Sequence, residues 1–97
     1  MAKIDEIIHQ SVRLQIMAAL VSADDDMKVD FSLMRQRLDV TDGNLSGHLR
    51  KLEGNGYIEV EKTFVKRIPR TYLSVTGKGK DAFKEHIAAL REIIGED

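Results

Sequence analysis

Two groups of side chains in this sequence have the types and spacing needed to recognise a polyanion. The first is Asn44, Ser46, Arg50 and Lys51, set among Leu45, Leu49 and Leu52. The leucines fall at i, i+4 and i+7, on one stripe of a helix, which leaves the polar set on the opposite side. Asparagine pairs bidentately with adenine and arginine with guanine, so a helix with this face carries the chemistry of base reading. The second group is Lys62, Lys66, Arg67 and Arg70, with Pro69 among them. Cations gathered in a turn-like segment suit phosphate rows or a narrow groove. Each group has a plainer alternative: a solvated helix face, and a hairpin kept soluble by charge.

Other chemistries find little support. The chain has no cysteine, which excludes disulfides, thiolate metal sites and thiol catalysis and suits a cytoplasmic protein. There is no Ser/His/Asp set with recognisable context and no carboxylate pair on a plausible cleft, so an enzyme is not expected. Gly77-Lys78-Gly79-Lys80 resembles a nucleotide loop only superficially. It lacks the preceding glycine and the Ser/Thr after the lysine, and reads better as a helix start. His9 and His86 show no metal-ligand spacing, and neither metal nor cofactor is expected. His48, close to the leucine stripe, suits either packing or a phosphate contact. Arg13 is likewise open between a phosphate and an internal acid.

The chain has 97 residues, 42 % apolar and 32 % charged, enough for one packed domain. The longest apolar run, Met17 to Val21, is too short to span a bilayer. Residues 1–10 contain Asp5, Glu6 and His9 and do not read as a signal peptide. Net charge is only −1, but it is unevenly spread. Residues 1–40 hold five Lys/Arg against seven Asp/Glu, residues 41–80 eight against four, and residues 81–97 two against five. A basic middle between acidic flanks is the footprint that whole-chain charge conceals.

The elements that must position these groups follow from periodicity. Ile4, Ile7 and Ile8, then Val12, Ile16, Met17, Leu20 and Val21, recur at helical spacing, with Ser11 a candidate cap for a fresh start. Asp24-Asp25-Asp26 reads as a turn and Met27 to Val29 as a short strand. Asp30 caps a second helix with Phe31, Met34 and Leu38 on one face. After the tight connection Asp39-Val40, Thr41 caps the leucine-striped third helix, which Gly54 and Gly56 end. Tyr57 to Phe64 alternates with Ile58, Val60 and Phe64 on one face, Val65 to Pro69 reads as a loop, and Arg70 to Val75 alternates again. Thr76 caps a last helix bearing Ala82, Phe83, Ile87, Leu90, Ile93 and Ile94. Two closely spaced helices followed by a hairpin form a helix-turn-helix with a wing.

The stretch Asp42 to Ile58 resembles the recognition helix and following turn of winged-helix regulators of the MarR and ArsR type. Lys66 to Thr76 resembles their wing and the strand leaving it, and Arg13-Leu14 with Ile16 and Leu20 resembles their first helix. The resemblance runs through nearly the whole chain. Two departures stand out. Gly47 occupies a position where a longer polar or basic side chain is usual, and Gly77 one where an acid is usual. The implied fold is mainly α with a small β-hairpin (α+β): a three-helix core, a wing and a C-terminal dimerisation helix. The helix-turn-helix covers about 30–54, the wing about 57–75 and the last helix about 76–94.

What the resemblance implies is a homodimeric regulator of transcription bound to double-stranded DNA, without membrane attachment and with no effector specified. Thr41, Asn44, Ser46, Gly47, Arg50 and Lys51 would meet the major groove. Lys62, Lys66, Arg67 and Arg70 would meet phosphates or the minor groove. Phe83, Ile87, Leu90 and Ile94 follow a near coiled-coil spacing. Ala89, Ile93 and Ile94 extend past what a small domain readily buries. With Ile4, Ile7 and Ile8 they make a candidate two-fold interface, one ordinary packed helix being the alternative. Winged helices also serve as protein-interaction adaptors, and a dimer-interface pocket for an effector is a third possibility.

Overall fold

The computed structural model describes residues 3–24 and 27–96. Its elements are α1 (Ser11–Ser22), β1 (Val29–Asp30), α2 (Phe31–Leu38), α3 (Asp42–Gly54), β2 (Ile58–Val65), β3 (Ile68–Val75) and α4 (Gly77–Ile93). The strands form one antiparallel sheet in the order β1-β3-β2. This is the winged-helix architecture expected from the sequence. Apolar positions of α1, α2 and α3 meet one face of the sheet, and Ala82 and Phe83 of α4 pack against the same cluster. Ile8, Ile16, Met17, Leu20, Met34, Leu45, Leu49, Leu52, Ile58 and Leu73 form the buried cluster.

Local chemistry accounts for the helix ends. Asp30 accepts from the amides of Ser32 and Leu33, Thr41 from Asn44, and Thr76 from Gly79. Each satisfies donors that a helix start leaves without partners. Asp39 closes α2 with φ 53, a left-handed conformation that aspartate tolerates, and this turns the chain directly into α3. At the other end of α3, Tyr57 N–H donates to the Leu52 carbonyl and Gly56 N–H to that of Glu53. Gly56 has φ +78, which makes this a Schellman close. Gly54 is simply the last helical residue.

Several details differ from the sequence reading. The cap of α1 is Gln10, whose side chain accepts from Arg13 N–H at 2.9 Å; Ser11 is the first helical residue. The first strand lies at Val29–Asp30, paired with Leu73 and Tyr72, later than Met27 to Val29. Of the acidic turn, Asp25 and Asp26 lie outside the described residues. Ile8 is 0 % and Ala89 3 % exposed, so both belong to the interior and not to an outward interface. The five-residue loop Val65 to Pro69 contracts to a two-residue turn. Val65 pairs with Ile68 and Phe64 with Pro69, so the strands run almost to the apex.

Candidate nucleic-acid interface

The leucine stripe of α3 is buried and its opposite side is open. Thr41, Asn44, Gly47, Arg50 and Lys51 are exposed and Ser46 is half-buried. The Thr41 hydroxyl is engaged by the Asn44 amide at 3.0 Å, so its first duty is to fix the helix start. Asp42, whose charge opposes a phosphate, is paired with Arg35 at 2.9 Å. That contact joins α2 to α3 and offsets the carboxylate at the end of the helix where amides attract anions. A Cβ on Gly47 would meet no described atom within 4 Å, so the middle of the face is bare.

The hairpin carries the second group, but divides it. Register places Lys62 with Val60 and Phe64 on one face, and Arg70 with Tyr72 and Ile68 on the other. Ser46 and Arg50 of α3 line an open cleft together with Lys62 and Thr71. Helix and wing root therefore present one continuous surface. Arg70 stands behind it, 3.7 Å from Asp30. Lys66 and Arg67 occupy the apex with φ 51 and 69. Two-residue turns of this hand match the twist of the strands and ordinarily use Asn-Gly. Two non-glycine residues there cost about 1–2 kcal/mol each, and the result is a pair of cations at the tip.

Around this surface lies a scaffold that the sequence did not announce. Arg13 donates to the Ile7 carbonyl at 2.5 Å and to His48 Nδ1 at 3.1 Å. Guanidinium only donates, so His48 accepts at Nδ1 and carries its proton on Nε2. Burial and the Arg13 charge hold its pKa below the usual histidine value. Arg13 thus anchors α3 to α1, and among the described residues its partners are a carbonyl and an imidazole, with no acid. Tyr57, just past α3, donates to Asp5 Oδ2 at 2.5 Å, and its hydroxyl pKa is pushed up to about 12 by that bond, by burial and by the carboxylate charge. The same Asp5 offers its amide to Nδ1 of buried His86 at 3.0 Å, and the His86 ring meets His9 edge-on at 5.4 Å. Distance along the chain hid the Arg13–His48, Tyr57–Asp5 and Asp5–His86 contacts, whose partners lie 35, 52 and 81 residues apart. The exposed apolar apex, with Phe64 71 %, Ile68 53 % and Val65 40 % exposed, was also missed. Phe64 continues the alternation of Ile58 and Val60 but stands beyond the core.

A family model for the winged helix DNA-binding domain matches residues 12–94, and the chain belongs to that family. The chain is 34 % identical over 88 residues to an uncharacterised protein of Methanocaldococcus jannaschii, covering 91 % of this chain and 92 % of the other. A transcriptional regulator homologue of Pyrococcus horikoshii OT3 superposes with a TM-score of 0.84 at 35 % identity, over 94 % of this chain and 87 % of that one. The transcriptional repressor BigR of Xylella fastidiosa shares the fold at 19 % identity, with a TM-score of 0.65 over 93 % and 78 % of the two chains. A PadR-like transcription factor shares the fold at 24 % identity, with a TM-score of 0.69 over 89 % and 94 % of the two chains. Among the described residues, no helix is long and apolar enough to cross a membrane, and no cluster of three or more His/Cys/Asp/Glu could hold a metal.

Proposed function

We propose that this chain is a cytoplasmic, homodimeric regulator that binds sequence-specifically to double-stranded DNA. In this reading α3 enters the major groove and the wing meets phosphates or the minor groove. The observation that carries it is one surface: the open Asn44–Arg50–Lys51 side of α3 joined through Lys62 to a hairpin tipped by Lys66 and Arg67. Arg50 and Asn44 then supply base preference. Lys51, Lys62, Lys66 and Arg67 supply affinity that is indifferent to sequence. Ser46 adds a hydroxyl at the edge, Thr41 presents the helix start, and Gly47 allows close backbone approach. Arg70, turned toward Asp30, contributes least.

The test is a titration of the full chain against duplexes from the region upstream of its own gene. Affinity should fall at least about 100-fold between roughly 50 and 200 mM salt as counterions are released. Arg50→Ala should flatten the ranking of sequences by about 1–3 kcal/mol at one base position. Arg67→Ala should weaken all duplexes alike. Absence of binding at low salt would end this reading and leave a protein-interaction adaptor.

A further inference from the structure

The apex of the wing is more than a charged loop. Residues 62–70 contain four cations and no acid, while the whole chain sums to −1. The rest of the molecule is therefore negative, and the basic charge is concentrated on this finger. Within it lies an apolar collar. Phe64 is 71 % exposed, paired across the strands with Pro69, and Ile68 is 53 % exposed, paired with Val65. Burial gives no reason for these side chains, because Phe64 stands past the last core position of its strand. Phe64 shares a face with Lys62, which lines the same cleft as Arg50 and Ser46. A partner held by α3 is thus on the side toward which the phenyl ring projects. The left-handed turn at Lys66 and Arg67 sets two cations one residue beyond the collar.

An apolar wedge between cations is suited to a stacked polyanion. Cations hold the phosphates on either side while the wedge separates a base step from the minor groove and kinks the duplex. We propose that Phe64 is such a wedge: it inserts at a base step, with Lys66 and Arg67 on the flanking phosphates, and bends the bound DNA. This rests on the reading of the chain as a DNA-binding regulator. A bilayer with anionic headgroups also offers negative charge over an apolar layer. However, a flat surface would touch only the protruding finger, whereas a duplex can meet α3 and the wing together across the cleft they share. Pyrimidine–purine steps unstack most readily, so a TA step under the wing is the favoured site.

The experiment uses the full chain and a duplex of about 30 base pairs rich in TA steps, labelled at both ends with a donor and an acceptor fluorophore. Binding is followed by anisotropy and bending by energy transfer. The wild-type chain should bind and shorten the end-to-end distance. Phe64→Ala, at an exposed position, should keep the fold's circular dichroism, bind about ten-fold more weakly and lose the bend. Phe64→Trp should keep both. Binding without bending, or an alanine variant that binds and bends like wild type, overturns the wedge and leaves the regulator reading intact. If no duplex binds at all, both fall. Phe64-dependent capture on phosphatidylserine vesicles, with no bending of DNA, overturns the proposal in favour of a membrane contact.

Discussion

His86 shows how one buried polar residue ties distant parts of the chain together. Its Nδ1 accepts from the Asp5 amide, which requires a neutral ring, and its Nε2 has no hydrogen-bond partner among the described residues. Burial lowers its pKa below the ordinary 6.5. The charge of His9 acts in the same direction, and Asp5 and Glu6 oppose it. The unfolded chain therefore takes up this proton at a higher pH than the folded one. The contribution to stability is complete above the unfolded value and is lost as pH falls below it toward the folded value. His48, lowered by burial and by Arg13, adds to the same slope. Urea unfolding should show lower stability at about pH 5 than at about pH 8, a difference that shrinks in His86→Asn. The asparagine oxygen can accept the Asp5 amide without titrating at these pH values. An unchanged difference would remove His86 from this account.

Among the elements, α4 depends on one close approach. A Cβ on Gly79 would lie 2.1 Å from the Tyr57 carbonyl oxygen, too near for any side chain. The Thr76 amide donates to that same oxygen at 3.0 Å, and the Thr76 hydroxyl to the Gly56 carbonyl at 2.7 Å. The end of α3 and the start of α4 are thus joined backbone to backbone. Gly77, two residues earlier, has open space around it. Gly79→Ala should destabilise by about 1–3 kcal/mol, as overpacked sites do, and Gly77→Ala should stabilise by up to about 1 kcal/mol. Equal effects measured by denaturant unfolding would contradict the geometry. The sequence singled out Gly77, where an acid is usual, and gave no sign of the close approach at Gly79. It showed the caps at Asp30, Thr41 and Thr76 because short oxygen-bearing side chains before a periodic run have few other uses. It concealed the cap at Gln10, a residue seldom chosen for that duty. Pro69 suggested a longer loop. It sits in β3 beyond the two residues covered by β1, where an open edge tolerates a missing N–H. Polar positions of α3 were readable from period alone, whereas the Asp42–Arg35 and Arg13–His48 pairs required the packing of three helices.

As a whole the molecule is long, 50 × 26 × 21 Å, with a radius of gyration of 14.0 Å. About 12.5 Å is ordinary for a chain of this length, so parts stand away from the body. The exposed wing apex is one, and the end of α4 is another, with Ile93 68 % and Ile94 69 % exposed. Phe83, Ile87 and Leu90 are half-buried, and Ile4 and Ile7 lie partly covered at the other end of the chain. On the proposal that α4 pairs two copies, its last turn carries the contact. Sedimentation should find a dimer for the wild-type chain and a monomer for Ile93→Asp/Ile94→Asp, with a matching loss of duplex affinity. A wild-type monomer at micromolar concentration would dismiss the pairing. The hairpin's register imposes a constraint of a different kind, one of parity. Its strands run without interruption into a two-residue turn, and successive side chains point to opposite faces. Adding one rung to the ladder would extend the finger but carry its tip to the reverse side, away from α3. Only an even number of added rungs restores the ring of Phe64 to its present side, so a wing of this design can change its reach only in strides of roughly 7 Å.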